Sequence, residues 1–216
     1  MDSNQLKSRI LAAVREQPAP TRKEFAARSA VVLALALATP VLELLLVGGA
    51  HRGERPWSLL LATAGGGFAL ALGAIWTALG RGGRGAGRAR VWLISMAALL
   101  PPAWVLWKVL WSMQYEGMSA PWTNRPGARC FALTFAFSLC PLIALAFVRR
   151  GSDPTHPRSL GAALGVAAGT YAAVMVDVWC PIGDLSHVVL GHALPVVLLG
   201  LLGFVIGRSV LGFGAR

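Results

Sequence analysis

Cys180, Asp184, His187 and His192 fall within the thirteen residues CPIGDLSHVVLGH. Thiolate, carboxylate and imidazole groups so close together make a candidate site for a divalent or soft metal ion. The spacing matches no common zinc pattern, however. His187 and His192 stand five apart, which on an α-helix turns them about 140° from each other, so they should not share a face. The competing expectation is a pair of interfacial histidines that cap a helix or bond a neighbouring loop. Cys130 extends the candidate set. Cys130 and Cys180 read as one unit, either a disulfide or shared ligands of a metal ion, provided their Cα atoms come within about 7 Å. Cys140 reads as a small packing residue.

Three charged residues fall inside apolar runs: Glu43, Lys108 and Asp177. Charge in a membrane span is costly, which makes each a functional candidate. A Glu43–Lys108 or Asp177–Lys108 pair would neutralise them. Such a polar layer is structural, or a conformational latch beneath the cysteines, or part of an ion path.

The elements that must position these groups follow from composition. Of 216 residues, 56% are apolar and 13% charged, and the mean hydropathy is +0.61. That is too apolar for a soluble domain of this length. Apolar windows lie at about 27–49, 58–79, 91–111, 130–148, 160–180 and 188–211, each long enough to span a bilayer. Backbone groups in lipid must be paired within the segment, so all six are expected to be helices. The expected fold is an all-α, polytopic six-helix transmembrane bundle over 27–211, with a cytoplasmic segment at 1–26 and a tail at 212–216.

Orientation comes from the basic residues. Six lie before or at the start of the first window (Lys7, Arg9, Arg15, Arg22, Lys23, Arg28), four lie in the 80–90 loop and three in the 149–159 loop, and Arg208 and Arg216 lie at the end of the chain. Alternate loops hold only Arg52, Arg55, Arg125 and Arg129. Fifteen against four, with Lys108 inside a span, puts both termini in the cytoplasm and the cysteine–histidine stretch on the outer face. The net charge of +11 is thereby explained by topology, and no direct nucleic-acid binding is expected, because the cations form no dense stripe with interleaved aromatics. Gly161, Gly165 and Gly169 make a GxxxGxxxG row, and Gly203 and Gly207 repeat the spacing. Such rows let helices approach closely, within one bundle or across a homodimer seam.

The N-terminal segment is amphipathic. Ser3 can cap a helix in which Leu6, Ile10, Leu11 and Val14 form an apolar stripe and Lys7, Arg9 and Arg15 a basic face, until Pro18 and Pro20 stop it. It suits an anionic lipid surface or an acidic protein partner.

The N-terminal segment, the six spans, the cysteine heading the fourth span and the stretch GAALGVAAGTYAAVMVDVWCP...HVVLGHALPVVLLGLLG together resemble membrane anti-sigma factors of the negative-regulator-of-sigma-F type. The resemblance is most specific from Gly161 to Gly203. It implies an inner-membrane protein that holds an extracytoplasmic-function sigma factor inactive and releases it under oxidative, heavy-metal or light-linked stress. It implies a signal-sensing role for Cys130 and Cys180, and a sigma-binding role for the segment carrying Leu6, Lys7, Ile10, Leu11, Val14 and Arg15. No enzyme activity is expected; the chain lacks the CxxC pair of a thiol oxidoreductase. The alternative is a small membrane transporter or metal permease, hinted at only by Cys140 and Pro141.

Overall fold

The computed structural model describes residues 5, 21–46, 48, 55–80, 89–115, 127–150 and 156–212. Apart from Gln5, the expected amphipathic helix over 3–17, with Leu6, Lys7, Ile10, Leu11, Val14 and Arg15, lies outside the described residues. Among those described the chain is all-α, without strands. The long helices are α1 (Arg22–Leu46), α2 (Trp57–Leu79), α3 (Arg90–Ser112), α4 (Ala128–Arg149) and α5 (Pro157–Trp179). A short helix α6 (Leu185–Val188) then runs through a π-helical turn, Val189–Ala193, into α7 (Leu194–Leu211).

Five stretches among the described residues are long and apolar enough to cross a membrane: α2, α3, α4, α5 and the continuous run Leu185–Leu211. Helix α1, over the expected first span, is not counted among them. The exterior is unlike that of a water-soluble bundle. Leu46, Trp76, Val91 and Val205 are each at least 70% exposed, whereas Arg55, Lys108, Thr134, Arg149 and Asp177 are buried. A surface of large apolar side chains around an apolar core that also holds several charged groups suits lipid as the surrounding medium.

Helix α5 is the axis of the bundle: 94% of its apolar window is buried, against 28–44% for the other four spans. It packs against α7, α2, α4 and α3, while α1 lies chiefly on α4. Its sequence explains this position. Gly161, Ala163, Gly165, Ala167, Ala168, Gly169, Ala172 and Ala173 make a slender helix that several neighbours can approach at once.

The closest approach is to α7. A Cβ added to Gly161 would drive into the Gly203 carbonyl, one on Gly165 into the Leu199 carbonyl, and one on Gly207 into the Pro157 carbonyl. The glycine rows are thus occupied within the chain, so the homodimer expectation loses the seam that suggested it. Gly66 and Gly67 serve similarly in α2, where an added Cβ would meet the indoles of Trp107 and Trp104.

Candidate functional site

One end of the bundle gathers the reactive side chains. Cys130 lies in the first turn of α4, and Cys180 lies just past the C-terminus of α5. Helix α5 stops there because Pro181 follows, and the residue before a proline is pushed out of the α region; Cys180 is extended, at φ −90° and ψ 113°. Asp184 then caps α6, accepting from the His187 backbone N–H at 3.0 Å and from the Ser186 hydroxyl. The Ser186 hydrogen bond chiefly, with the His187 N–H, holds the Asp184 carboxyl below the usual carboxylate range. Asp184 is therefore occupied as a helix cap and does not join the cysteines, contrary to its place in the candidate metal set.

The other four candidates do come together. The ligand atoms of Cys130, Cys180, His187 and His192 all lie within 4.8 Å of one another, and all four residues are buried. Cys180 Sγ is 3.3 Å from His187 Nε2. All three cysteines are free thiols. Cys140 stands elsewhere, half-buried, with its sulfur 3.4 Å from the Thr39 hydroxyl.

The meeting of His187 with His192 corrects the helical-wheel expectation. Their ring centroids are 5.6 Å apart, because the backbone between them is π-helical rather than α-helical. Each π turn takes in one more residue than an α turn, so residues five apart come round to the same side. Pro195 supplies a local reason. An α-helix would require residue 195 to donate to the Gly191 carbonyl, and proline has no N–H to give. The Leu194 N–H instead bonds five residues back, to Val189. The Gly191 carbonyl accepts a long hydrogen bond, 3.5 Å, from the Thr134 hydroxyl of α4.

The same turn seats α4. Gly127, at φ +84°, lies so close to Gly191 that an added Cβ would stand 3.0 Å from the Gly191 Cα, and a Cβ on Gly191 would stand 3.1 Å from the Cys130 Cβ. Side chains larger than hydrogen at 127 or 191 would push Cys130 away. Arg129 stacks on Trp179 at 4.6 Å, tying together the two helix ends that carry the cysteines.

Both histidines are buried within the bundle. His192 is fully buried and His187 3% exposed. His192 packs beside Trp104, ring centroids 5.8 Å apart, and interacts with the Cys180 thiol, though neither ring nitrogen has a well-formed hydrogen bond among the described residues.

A charged group lies alongside. Asp177, fully buried one turn before Cys180, pairs with Lys108 of α3, and its Oδ1 is 3.5 Å from Arg55 Nη1. Arg55 also donates to the carbonyls of Asp177 (2.7 Å) and Cys180 (3.4 Å), so it caps the C-terminal end of α5. Glu43 is not part of this group: its Oε2 is buried without a hydrogen-bond partner among the described residues. Arg55, read from sequence only as a loop charge, takes the third place.

Together these features define an all-helical protein of membrane-crossing helices, closed at one end around a buried cysteine–histidine cluster and a three-charge network. The family model described as negative regulator of sigma F matches residues 10–213, and the chain belongs to that family. The family name makes it a negative regulator with a sigma factor as its partner. No curated protein and no solved structure matches the chain.

Proposed function

We propose that this chain is a six-span anti-sigma factor of a bacterial inner membrane, with α1 as its first span. It holds an extracytoplasmic-function sigma factor at the cytoplasmic face and releases it when the cysteine–histidine cluster at the outer face changes state. No enzymatic step is involved. The observation that carries the reading is the buried cluster of Cys130, Cys180, His187 and His192 at one end of a chain from this family. The imbalance of Lys and Arg between alternate loops supports the orientation. Residues 3–17 bind the sigma factor through Leu6, Ile10, Leu11 and Val14, with Lys7 and Arg15 contributing charge. A helix that short is marginal alone, and needs a surface on which to form.

Three measurements test this. Cysteine labelling in intact cells should reach residues introduced at 112–129 and fail at 80–90 and 149–159; the reverse pattern inverts the protein and removes the cluster from the outer face. A reporter on the sigma factor's target promoter should lose its induction by oxidant or metal when Cys130 and Cys180 are both replaced by alanine. Induction at the normal level in that variant would leave the thiols as packing residues. Ile10→Asp places a carboxylate in an apolar contact, at a cost of about 1–3 kcal/mol or more, and should derepress the promoter in unstressed cells. Full repression by Ile10→Asp at normal protein level would move the docking site to the arginine-rich loops.

A further inference from the structure

We propose that Cys130, Cys180, His187 and His192 form a closed, four-ligand site for one divalent ion of the zinc class, bound tetrahedrally through two thiolates and two imidazoles. This deepens the sensing role proposed above by naming what the cluster takes up.

Geometry is the first argument. Tetrahedral zinc, with bonds of about 2.3 Å to sulfur and 2.0–2.1 Å to nitrogen, sets its ligand atoms roughly 3.3–3.8 Å apart. Cys180 Sγ and His187 Nε2 are already 3.3 Å apart, and no pair among the four ligand atoms exceeds 4.8 Å. Small rotamer adjustments close the remainder.

The second argument is His192. A buried imidazole normally spends both nitrogens on hydrogen bonds, because an unpaired polar atom away from water is costly. His192 is fully buried, and neither ring nitrogen has a well-formed hydrogen bond among the described residues, the Cys180 thiol being the group that interacts with it. An ion shared with Cys180 would give one of them a bond.

The backbone is the third. The π turn that brings residues 187 and 192 to one side, with Pro195 disallowing the α-helical bond to Gly191, holds the two imidazoles together before any ion arrives. π turns of this kind recur at functional sites.

The ligand type follows from the donors. Two sulfurs and two nitrogens suit zinc and its close analogues over magnesium or calcium, which take oxygen. With all four ligands from the protein and buried, no position is left for a substrate, as in structural rather than catalytic zinc sites. The ion would join three segments: the start of α4, the end of α5 and the start of the last span.

The test uses the full chain purified in detergent under reducing conditions and stripped with a chelator. Cobalt(II) titration should give one equivalent of tetrahedral ligand-field absorption with a thiolate-to-cobalt charge-transfer band, and zinc(II) should abolish both. Zinc-edge X-ray absorption of the unmutated protein should count two sulfur and two nitrogen neighbours, which requires no variant to fold. His192→Gln and Cys180→Ser should each weaken binding by more than the roughly 10- to 100-fold typical of groups that only orient a ligand. Cys140→Ser should bind as the parent does. The site is overturned if the unmutated protein gives no tetrahedral cobalt spectrum, or if His192→Gln binds with parental affinity. Should cobalt bind while the Cys130/Cys180 double variant still responds to stress in cells, the metal site stands and the sensing role fails. Should cobalt not bind while that variant loses its response, the sensing role stands and the metal site fails.

Discussion

Asp177→Leu should destabilise the detergent-solubilised protein by about 3–5 kcal/mol, because it leaves two buried cations without their counter-charge. Lys108 pairs with Asp177, while Arg55 reaches Asp177 Oδ1 and the α5 carbonyls, so removing the carboxylate strands both. Lys108→Met removes one cation of two and leaves Arg55 opposite Asp177; its cost should be markedly smaller. Thermal unfolding of the three proteins side by side measures the difference. Equal losses from the two variants would mean that Arg55 does not neutralise Asp177, and that the network is a simple Lys108–Asp177 pair.

The seam between α5 and α7 carries the second large expectation. Gly161→Val and Gly203→Val each push a side chain against backbone, since an added Cβ at either position meets the other's carbonyl. Overpacking usually costs about 1–3 kcal/mol when neighbouring side chains can yield. Here the obstacle is main chain, so the loss should reach the top of that range or exceed it, with a fall in the yield of folded protein. Gly73→Val is the control, because an added Cβ there meets nothing within 4 Å; a change within roughly 0.5 kcal/mol is expected. Full stability in Gly161→Val would show that α5 and α7 can part without harm.

What could be read from sequence divides along physical lines. Span positions follow from runs of apolar residues, and that signal is local: the windows at 58–79 and 91–111 lie over Trp57–Leu79 and Arg90–Ser112. The pairing of Asp177 with Lys108 was legible as one of two options, because isolated charges in lipid must find partners. Arg55 was not. It precedes its helix and reaches Asp177 across 122 residues of sequence, and nothing local distinguishes it from Arg52. The histidine pair was misread because a helical wheel assumes an α-helix throughout. Pro195, four residues after Gly191, was the available warning that this turn departs from one. Asp184 was grouped with the metal candidates by proximity in sequence, although an aspartate three residues before a helical N–H is as readily a cap.

The π turn and the glycine seam together restrict how the last span can move. Changing the π turn to an α turn removes one residue from the winding, which would turn everything beyond it by about 100° and shift it about 1.5 Å along its axis. The seam further along α7 admits backbone against backbone at its present register, with Gly203 on Gly161 and Leu199 on Gly165. Each residue beyond the turn would advance by one place, so Leu202 would come where Gly203 now sits, and its side chain has no room there. Helix α7 is in this sense keyed to α5 like a bolt in a slotted sleeve. A disturbance at the cysteine end is either absorbed within the π turn or unseats the whole helix at once. The seam thus admits α7 at one register only, so relative movement of the two helices must part them rather than slide one along the other.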